Sequence, residues 1–245
     1  MKTKKIEILN VPFDNLTHKN FVSQLIKKVE NGEKTFVITA NPEIVMYANC
    51  NDDYMKLLKR ANFITADGIG IIKGSKILGN PITERVTGYD LMLGLFHEAH
   101  TLKKKVYLLG SRQEVIELAV KKIEKEFPDI TVVGYHNGYF NLSDDQIIKN
   151  VLDSNADMVF VGIGFPRQEK WIEQYLEKAD KGLVMGVGGS FDAFTGKVKR
   201  APAVFIELNL EWFYRLIRQP FRFKRMLVLP KFLIAVRKEK KLAKK

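Results

Sequence analysis

The sequence predicts an α/β protein: a doubly wound, mostly parallel sheet flanked by helices, followed by a basic, amphipathic helical C-terminal appendage. Three observations predict it. Short apolar runs such as TFVIT (35–39), KVYLL (105–109) and MVFV (158–161) read as parallel strands buried on both faces. They alternate with segments of helical period, the pattern of βαβ units. From about residue 197 the alternation stops, and Lys and Arg crowd in among aromatic residues. The expected division is a body of residues 1–196 and an appendage of 197–245.

The elements follow in order. Residues 6–9 are a short first strand, and Phe21, Leu25 and Val29 mark one side of a helix over 17–30 that Gly32 ends. Strand 35–39 runs into Asn41-Pro42, an N-cap followed by proline at the first helical position. Strand 62–66 stops at Asp67-Gly68. Helix 88–102 carries His97 and His100, read as surface histidines near a helix C-terminus, since no ligand set accompanies them. Strand 105–109 turns at Gly110-Ser111 into helix 113–127. Strand 130–133 leads to a glycine- and aromatic-rich loop over 134–140. Helix 144–155, strand 158–161, a helix through Trp171 and Tyr175, and strand 183–187 complete the body. In the appendage, residues 203–218 are helical in pattern, and Pro220 opens a second helix to about residue 236.

Apolar residues make up 46% of 245, enough for a sizeable core. The single cysteine, Cys50, excludes an internal disulfide and suits a reducing cytoplasm. The basic N-terminus has no apolar run of signal-peptide length, and no stretch reaches the roughly 18 apolar residues of a membrane-spanning helix. The net charge of +12 is unevenly placed: residues 197–245 hold 15 Lys and Arg against three Glu, whereas 1–196 hold 25 of each sign. A neutral body with a basic tail points to a polyanionic partner, either nucleic acid or an anionic membrane. Arg215, Arg218, Arg222 and Arg225 are spaced 3, 4 and 3 apart, on one side of a near-continuous helix. Phe221, Phe223, Met226, Leu227 and Phe232 interleave them, which suits a membrane surface better than a solvated nucleic-acid-binding arm. The bland alternative is a terminal helix pair packed on the core.

The candidate site residues sit where strands end, the usual place for ligands in open α/β sheets. Asp67 is held by a buried strand yet opened by Gly68. It reads as a catalytic acid–base group, or as a turn residue or N-cap. Thr39 and Asn41 lie at the end of the neighbouring strand, and Arg85 follows the Gly79-Asn80-Pro81 turn. Gly162-Ile163-Gly164 invites a dinucleotide reading, but Arg167 stands where the fingerprint needs its third glycine, which disfavours a nicotinamide-dependent reductase. Gly188-Gly189 allow close approach of a ligand, and Asp192 could accept ribose hydroxyls. The 134–140 loop, with Tyr139, could stack on a base or a sugar, or be a packed turn.

Taken together, Thr39-Ala40-Asn41-Pro42, Thr65-Ala66-Asp67-Gly68, Glu84-Arg85-Val86-Thr87-Gly88, the run GIGFPRQE (162–169), GVGGSFD (186–192) and Arg200-Ala201-Pro202 resemble the WecG/TagA/CpsF family of glycosyltransferases. The resemblance implies a Rossmann-like hexosyltransferase that moves N-acetylmannosamine from its UDP donor onto undecaprenyl-diphosphate-linked N-acetylglucosamine. In Gram-positive relatives the product is the linkage unit of wall teichoic acid, whereas enterobacterial relatives transfer N-acetylmannosaminuronic acid. It implies Asp67 as the base, with Thr39, Asn41, Arg85 and Gln168 in the sugar and phosphate pocket. Gly188, Gly189 and Asp192 would hold uridine, with Tyr139 and Gly164 as further UDP contacts. Arg215, Arg222 and Arg225 would reach the acceptor's diphosphate. The expected enzyme is inverting and needs no cofactor. No Asp-x-Asp pair occurs in the chain, so no metal is expected, and arginines and helix N-termini would stabilise the departing UDP. Its expected place is the cytoplasm, peripheral on the inner face of the membrane, with an anionic lipid surface and not nucleic acid as partner. Self-association through the apolar tail is a further expectation.

Overall fold

The computed structural model describes residues 4–199, 201–202, 204–205, 213–214 and 227–243. Its centre is a six-stranded, wholly parallel sheet of β3 (Thr35–Ala40), β4 (Phe63–Ala66), β5 (Lys105–Gly110), β6 (Thr131–His136), β7 (Met158–Gly162) and β8 (Leu183–Gly186). The spatial order is β4-β3-β8-β7-β5-β6. Side chains alternate across each strand. Phe36 and Ile38 of β3 face one apolar cluster with Val161 and Val184, while Val37 faces another with Met158 and Met185. On the first face lie α2 (Pro42–Ala48), α3 (Asp52–Arg60), α4 (Ile69–Leu78), α7 (Asp145–Asp153) and α8 (Arg167–Lys178). On the second lie α1 (His18–Glu30), α5 (Gly88–Thr101), α6 (Gln113–Glu126) and the short α9 (Ser190–Phe194). The chain goes from β5 outward to β6, but from β7 inward to β8. Because β5 and β7 are neighbours, their connections diverge and open a crevice at their carboxyl ends.

The first strand does not join this sheet. β1 (Lys5–Ile8) pairs antiparallel with an unforeseen β2 (Val11–Asp14) through a two-residue turn. Leu9 and Asn10 both adopt positive φ there (49° and 63°), the backbone of a tight hairpin turn. The hairpin covers edge strand β4: the buried Asp14 carboxylate accepts from the Ile64 amide (2.8 Å) and from Lys5 Nζ (3.2 Å). An otherwise open sheet edge is thereby closed.

Two further segments add to the sequence reading or extend it. The apolar stretch after Asp67 is a full helix, α4, despite Gly70 and Gly74. β6 extends to His136, so Gly134, Tyr135 and His136 are strand and not loop. Gly134 is required there by packing, since a Cβ at that position would lie 2.5 Å from the Tyr107 ring.

The last described helix, α10 (Val228–Leu242), begins with Pro230 in its first turn, where a missing N–H is tolerated, and runs six residues beyond the expected end. It lies on α4 and α2. Phe232 and Val236 are its fully buried residues, and they sit over Gly74, whose added Cβ would stand 3.0 Å from the Phe232 ring. Glu239 accepts from the Leu9 amide at 3.2 Å, and Asn49 Nδ2 donates to the Leu9 carbonyl at 2.8 Å, so α10 and α2 grip the hairpin turn together. The packed-helix reading of the tail thus describes residues 228–242, while the expected helix over 203–218 and the Pro220 helix start fall largely outside the described residues. Among the described residues, no helix is long and apolar enough to cross a membrane.

Candidate active site

The carboxyl ends of β3, β4 and β8 gather one set of the expected residues. Strand β4 ends at Ala66, and Gly68, whose φ of 111° lets the chain turn directly into α4, leaves Asp67 half-buried at the turn. Its amide donates to the Ala40 carbonyl (2.9 Å), which ties it to the end of β3. Arg85 is brought to the same place by backbone stitching, not by nearness in sequence. Val86 donates its amide to the Ala66 carbonyl (3.1 Å), and Thr65 Oγ1 donates to the Val86 carbonyl (3.0 Å). The segment then enters α5, where Thr87 Oγ1 caps the Asp90 amide at 3.1 Å. The Gly88 amide approaches Asp67 Oδ2 at 3.5 Å.

Thr39 is buried and donates Oγ1 to the Gly186 carbonyl at 3.2 Å, joining β3 to β8. Asn41 Oδ1 accepts from the Ile44 amide at 3.1 Å, so it is the N-cap that its Asn-Pro context predicts. Gln168, 4% exposed, accepts the Gly188 amide on Oε1 at 3.2 Å and donates Nε2 to Glu169 Oε1 at 2.6 Å. Gly186 makes room for that amide: a Cβ there would meet Gln168 Nε2 at 2.6 Å.

A second set lies at the β5/β7 crevice. Ser111 Oγ donates to Asp192 Oδ2 at 2.9 Å, and the Ser111 amide donates to the Gly162 carbonyl at 3.1 Å. The Gly138 amide donates to the Ser111 carbonyl at 2.8 Å, which brings the 137–140 loop alongside Gly110 and Ile163, the neighbour of Gly164. Tyr139 is 74% exposed at this rim, and Arg167 Nη2 braces the loop by donating to the Phe140 carbonyl at 2.7 Å. Gly188 and Gly189 bridge the two sets along the β8 loop. Arg215, Arg222 and Arg225 lie outside the described residues.

Helices α4, α6 and α8 carry no side-chain cap, and each follows a strand of the sheet. Thr17, Asn41, Asn51, Thr87 and Asp144 cap α1, α2, α3, α5 and α7. Bare N-termini present backbone N–H donors and the positive end of the helix dipole at the edge where a diphosphate would lie. His100, expected at the surface, is half-buried; its Nδ1 accepts from the Asp129 amide at 3.1 Å.

Three groups escaped the sequence reading. Ser111 gives Asp192 a protein partner, and Arg167 is a brace and not merely a break in a glycine fingerprint. Glu169 is wholly buried beside Tyr54. Burial pushes the Glu169 carboxyl above its ordinary value, with the Gln168 hydrogen bond acting in the opposite direction. Burial, and then the neighbouring Glu169, push the Tyr54 hydroxyl up as well.

The sequence matches known proteins along nearly its whole length. Residues 6–245 match the model of the glycosyl transferase WecG/TagA/CpsF family. A Bacillus subtilis (strain 168) protein named N-acetylglucosaminyldiphosphoundecaprenol N-acetyl-beta-D-mannosaminyltransferase is 42% identical over 243 residues, covering 98% of this chain and 93% of its own. Proteins of the same name from Bacillus spizizenii and Staphylococcus aureus (strain MW2) are 39% and 38% identical, covering 100% and 99% of this chain and 95% and 96% of their own. Matched over residues 6–245 and 42% identical to such a relative across 98% of its length, this chain belongs to the WecG/TagA/CpsF family of glycosyl transferases.

Proposed function

We propose that this chain transfers N-acetylmannosamine from a UDP-linked donor to N-acetylglucosamine carried on undecaprenyl diphosphate, the step that builds the linkage unit of wall teichoic acid. One observation carries the reading: in a chain 38–42% identical to transferases of that name, Asp67 stands half-buried where β4 ends, beside the bare N-terminus of α4. Thr39 and Gln168 line the adjoining strand ends, and Val86 draws Arg85 to the same edge.

The chemistry is an inverting displacement. The acceptor oxygen forms a bond to the anomeric carbon while the bond from that carbon to the UDP oxygen breaks. Asp67 takes the acceptor's hydroxyl proton, and the electron pair of the broken bond leaves on UDP. The relatives' names specify a β-linked product, which inversion gives from an α-linked donor. Negative charge grows on the departing diphosphate, where Arg85 and the N–H groups opening α4 and α8 can receive it. In this reading Ser111, Asp192 and the Gly188-Gly189 loop border the uridine side, with Tyr139 at its rim. No metal is needed, because these donors do the work a metal would do.

The outward side of α10 suits a membrane surface: Lys231, Arg237, Lys238 and Lys241 are exposed, with Ile234 and Leu242 63% and 64% exposed among them. The test offers the purified chain UDP-N-acetylmannosamine or its uronic acid with a lipid-diphosphate-linked N-acetylglucosamine acceptor, with and without EDTA. Transfer of N-acetylmannosamine in EDTA is expected. Failure with that donor overturns the proposal, and strict dependence on added magnesium overturns its metal-free part.

A further inference from the structure

Glu169 is an unusual filling for the interior. It follows Gln168 in the first turn of α8, its side chain is 0% exposed, and among the described residues no lysine or arginine forms an ion pair with it. A buried acid costs stability relative to an apolar residue of the same volume, so packing alone does not account for it. One oxygen, Oε1, accepts from Gln168 Nε2 at 2.6 Å. The other lies near the Tyr54 hydroxyl, but the two do not close to a well-formed hydrogen bond.

The hydrogen-bond polarity explains the acid. The Gly188 N–H can only donate, so the carbonyl end of the Gln168 side chain must face it, as observed at 3.2 Å. The NH2 end then necessarily points back into α8, over Gly186, where it needs an acceptor. Apolar residues cannot supply one. We propose that Glu169 is a positioning residue: it fixes the orientation of the Gln168 amide, and through it the Gly188 backbone that borders the donor side of the cleft. It touches no substrate and acts wholly through Gln168. The inference rests on the cleft assigned under the proposed function.

Burial favours the protonated acid, whose hydrogen-bonding capacity a glutamine side chain reproduces. Glu169→Gln therefore keeps an acceptor for Gln168, whereas Glu169→Met keeps the bulk and removes it. Amide exchange at Gly188 and steady-state kinetics are measured on the full chain for both variants. In Glu169→Met, Gly188 exchange and the KM for the nucleotide sugar should each rise about tenfold, the scale of one lost hydrogen bond. The KM for the lipid acceptor should not move, and Glu169→Gln should restore wild-type values. Wild-type behaviour of Glu169→Met overturns the proposal, as does impairment of Glu169→Gln to the same degree. Should Glu169→Met not fold, the unaltered chain still decides: solvent-like exchange of the Gln168 side-chain NH2 overturns the proposal. Both exchange measurements stand even if no sugar transfer is found, so failure of the assigned reaction remains distinguishable.

Discussion

Gly74→Leu should detach the terminal helix while leaving the body folded. The glycine lies in α4 beneath Phe232 and Val236, and a Cβ alone would come within 3.0 Å of the aromatic ring. Leucine adds three more carbons in space that those two side chains already fill. The body loses nothing, because leucine is about 0.8 kcal/mol better than glycine inside a helix. What is lost is the docking of α10. Phe232 and Val236 are its fully buried residues, together worth about 3–6 kcal/mol. A detached helix of 15 residues is marginal in water, so undocking is also unwinding. Hydrogen–deuterium exchange read by mass spectrometry should show amides of residues 228–242 exchanging at least about 100-fold faster, the equivalent of roughly 3 kcal/mol. Strand β3 should keep its protection. Gly74→Ala, which asks the ring to give only a few tenths of an ångström, should change exchange little. If α10 in Gly74→Leu stays as protected as in the unaltered chain, the glycine is not its seat and the docking energy has been misassigned.

Two further outcomes follow. Asp67→Asn should lower kcat about 10²–10⁴-fold, as loss of a general base does, while UDP affinity by calorimetry changes less than about twofold; near-normal turnover would remove Asp67 from that role. Glu169→Gln should also raise stability in a pH-dependent way. Because burial raises the folded-state pKa above the ordinary 4.5, the group's contribution is complete below about that pH and is lost as pH rises toward the folded value. The variant's melting temperature should therefore match the unaltered chain near pH 4 and exceed it increasingly above; a constant difference across pH would mean that Glu169 does not titrate in the fold.

The sheet was legible because strands buried on both faces must be short continuous apolar runs, and TFVITA, KVYLLG and MVFVG are such runs. β2 was not, because VPFD is four residues long and holds a proline, and its turn, Leu9-Asn10, lacks the glycine that usually marks such hairpins. α4 was not bounded from sequence, since its apolar residues and the poor helix formers Gly70 and Gly74 give no clear helical period; those glycines are the places where Leu229 and Phe232 come close. In the site, Asp67 could be picked out from a strand ending in Asp-Gly. Its neighbourhood with the Arg85 segment could not, since it depends on Val86 bonding to Ala66 across 19 residues of intervening chain. Glu169 was the hardest to see, because a glutamate in an amphipathic helix ordinarily faces water, and only the facing Gln168 and Gly188 show why this one does not.

The geometry of the described residues also bears on the arginines that the family resemblance assigns to the acceptor diphosphate. At one end of the stretch that carries them, the Val198 amide donates to the carbonyl of Asp192, the partner of Ser111, at 3.0 Å. At the other, Leu229 packs against Gly70, three residues beyond Asp67, and Pro42, which follows Asn41, touches the same glycine. Both attachment points therefore lie on segments that follow sheet strands, α9 after β8 and α4 after β4, and Arg225 is four residues before Leu229 in the sequence. Under the proposed function, α10 joins the exposed basic residues on its outward side to the body through Leu229, Phe232 and Val236, so contact of that side with an anionic lipid surface would bear directly on α4, the helix that follows Asp67.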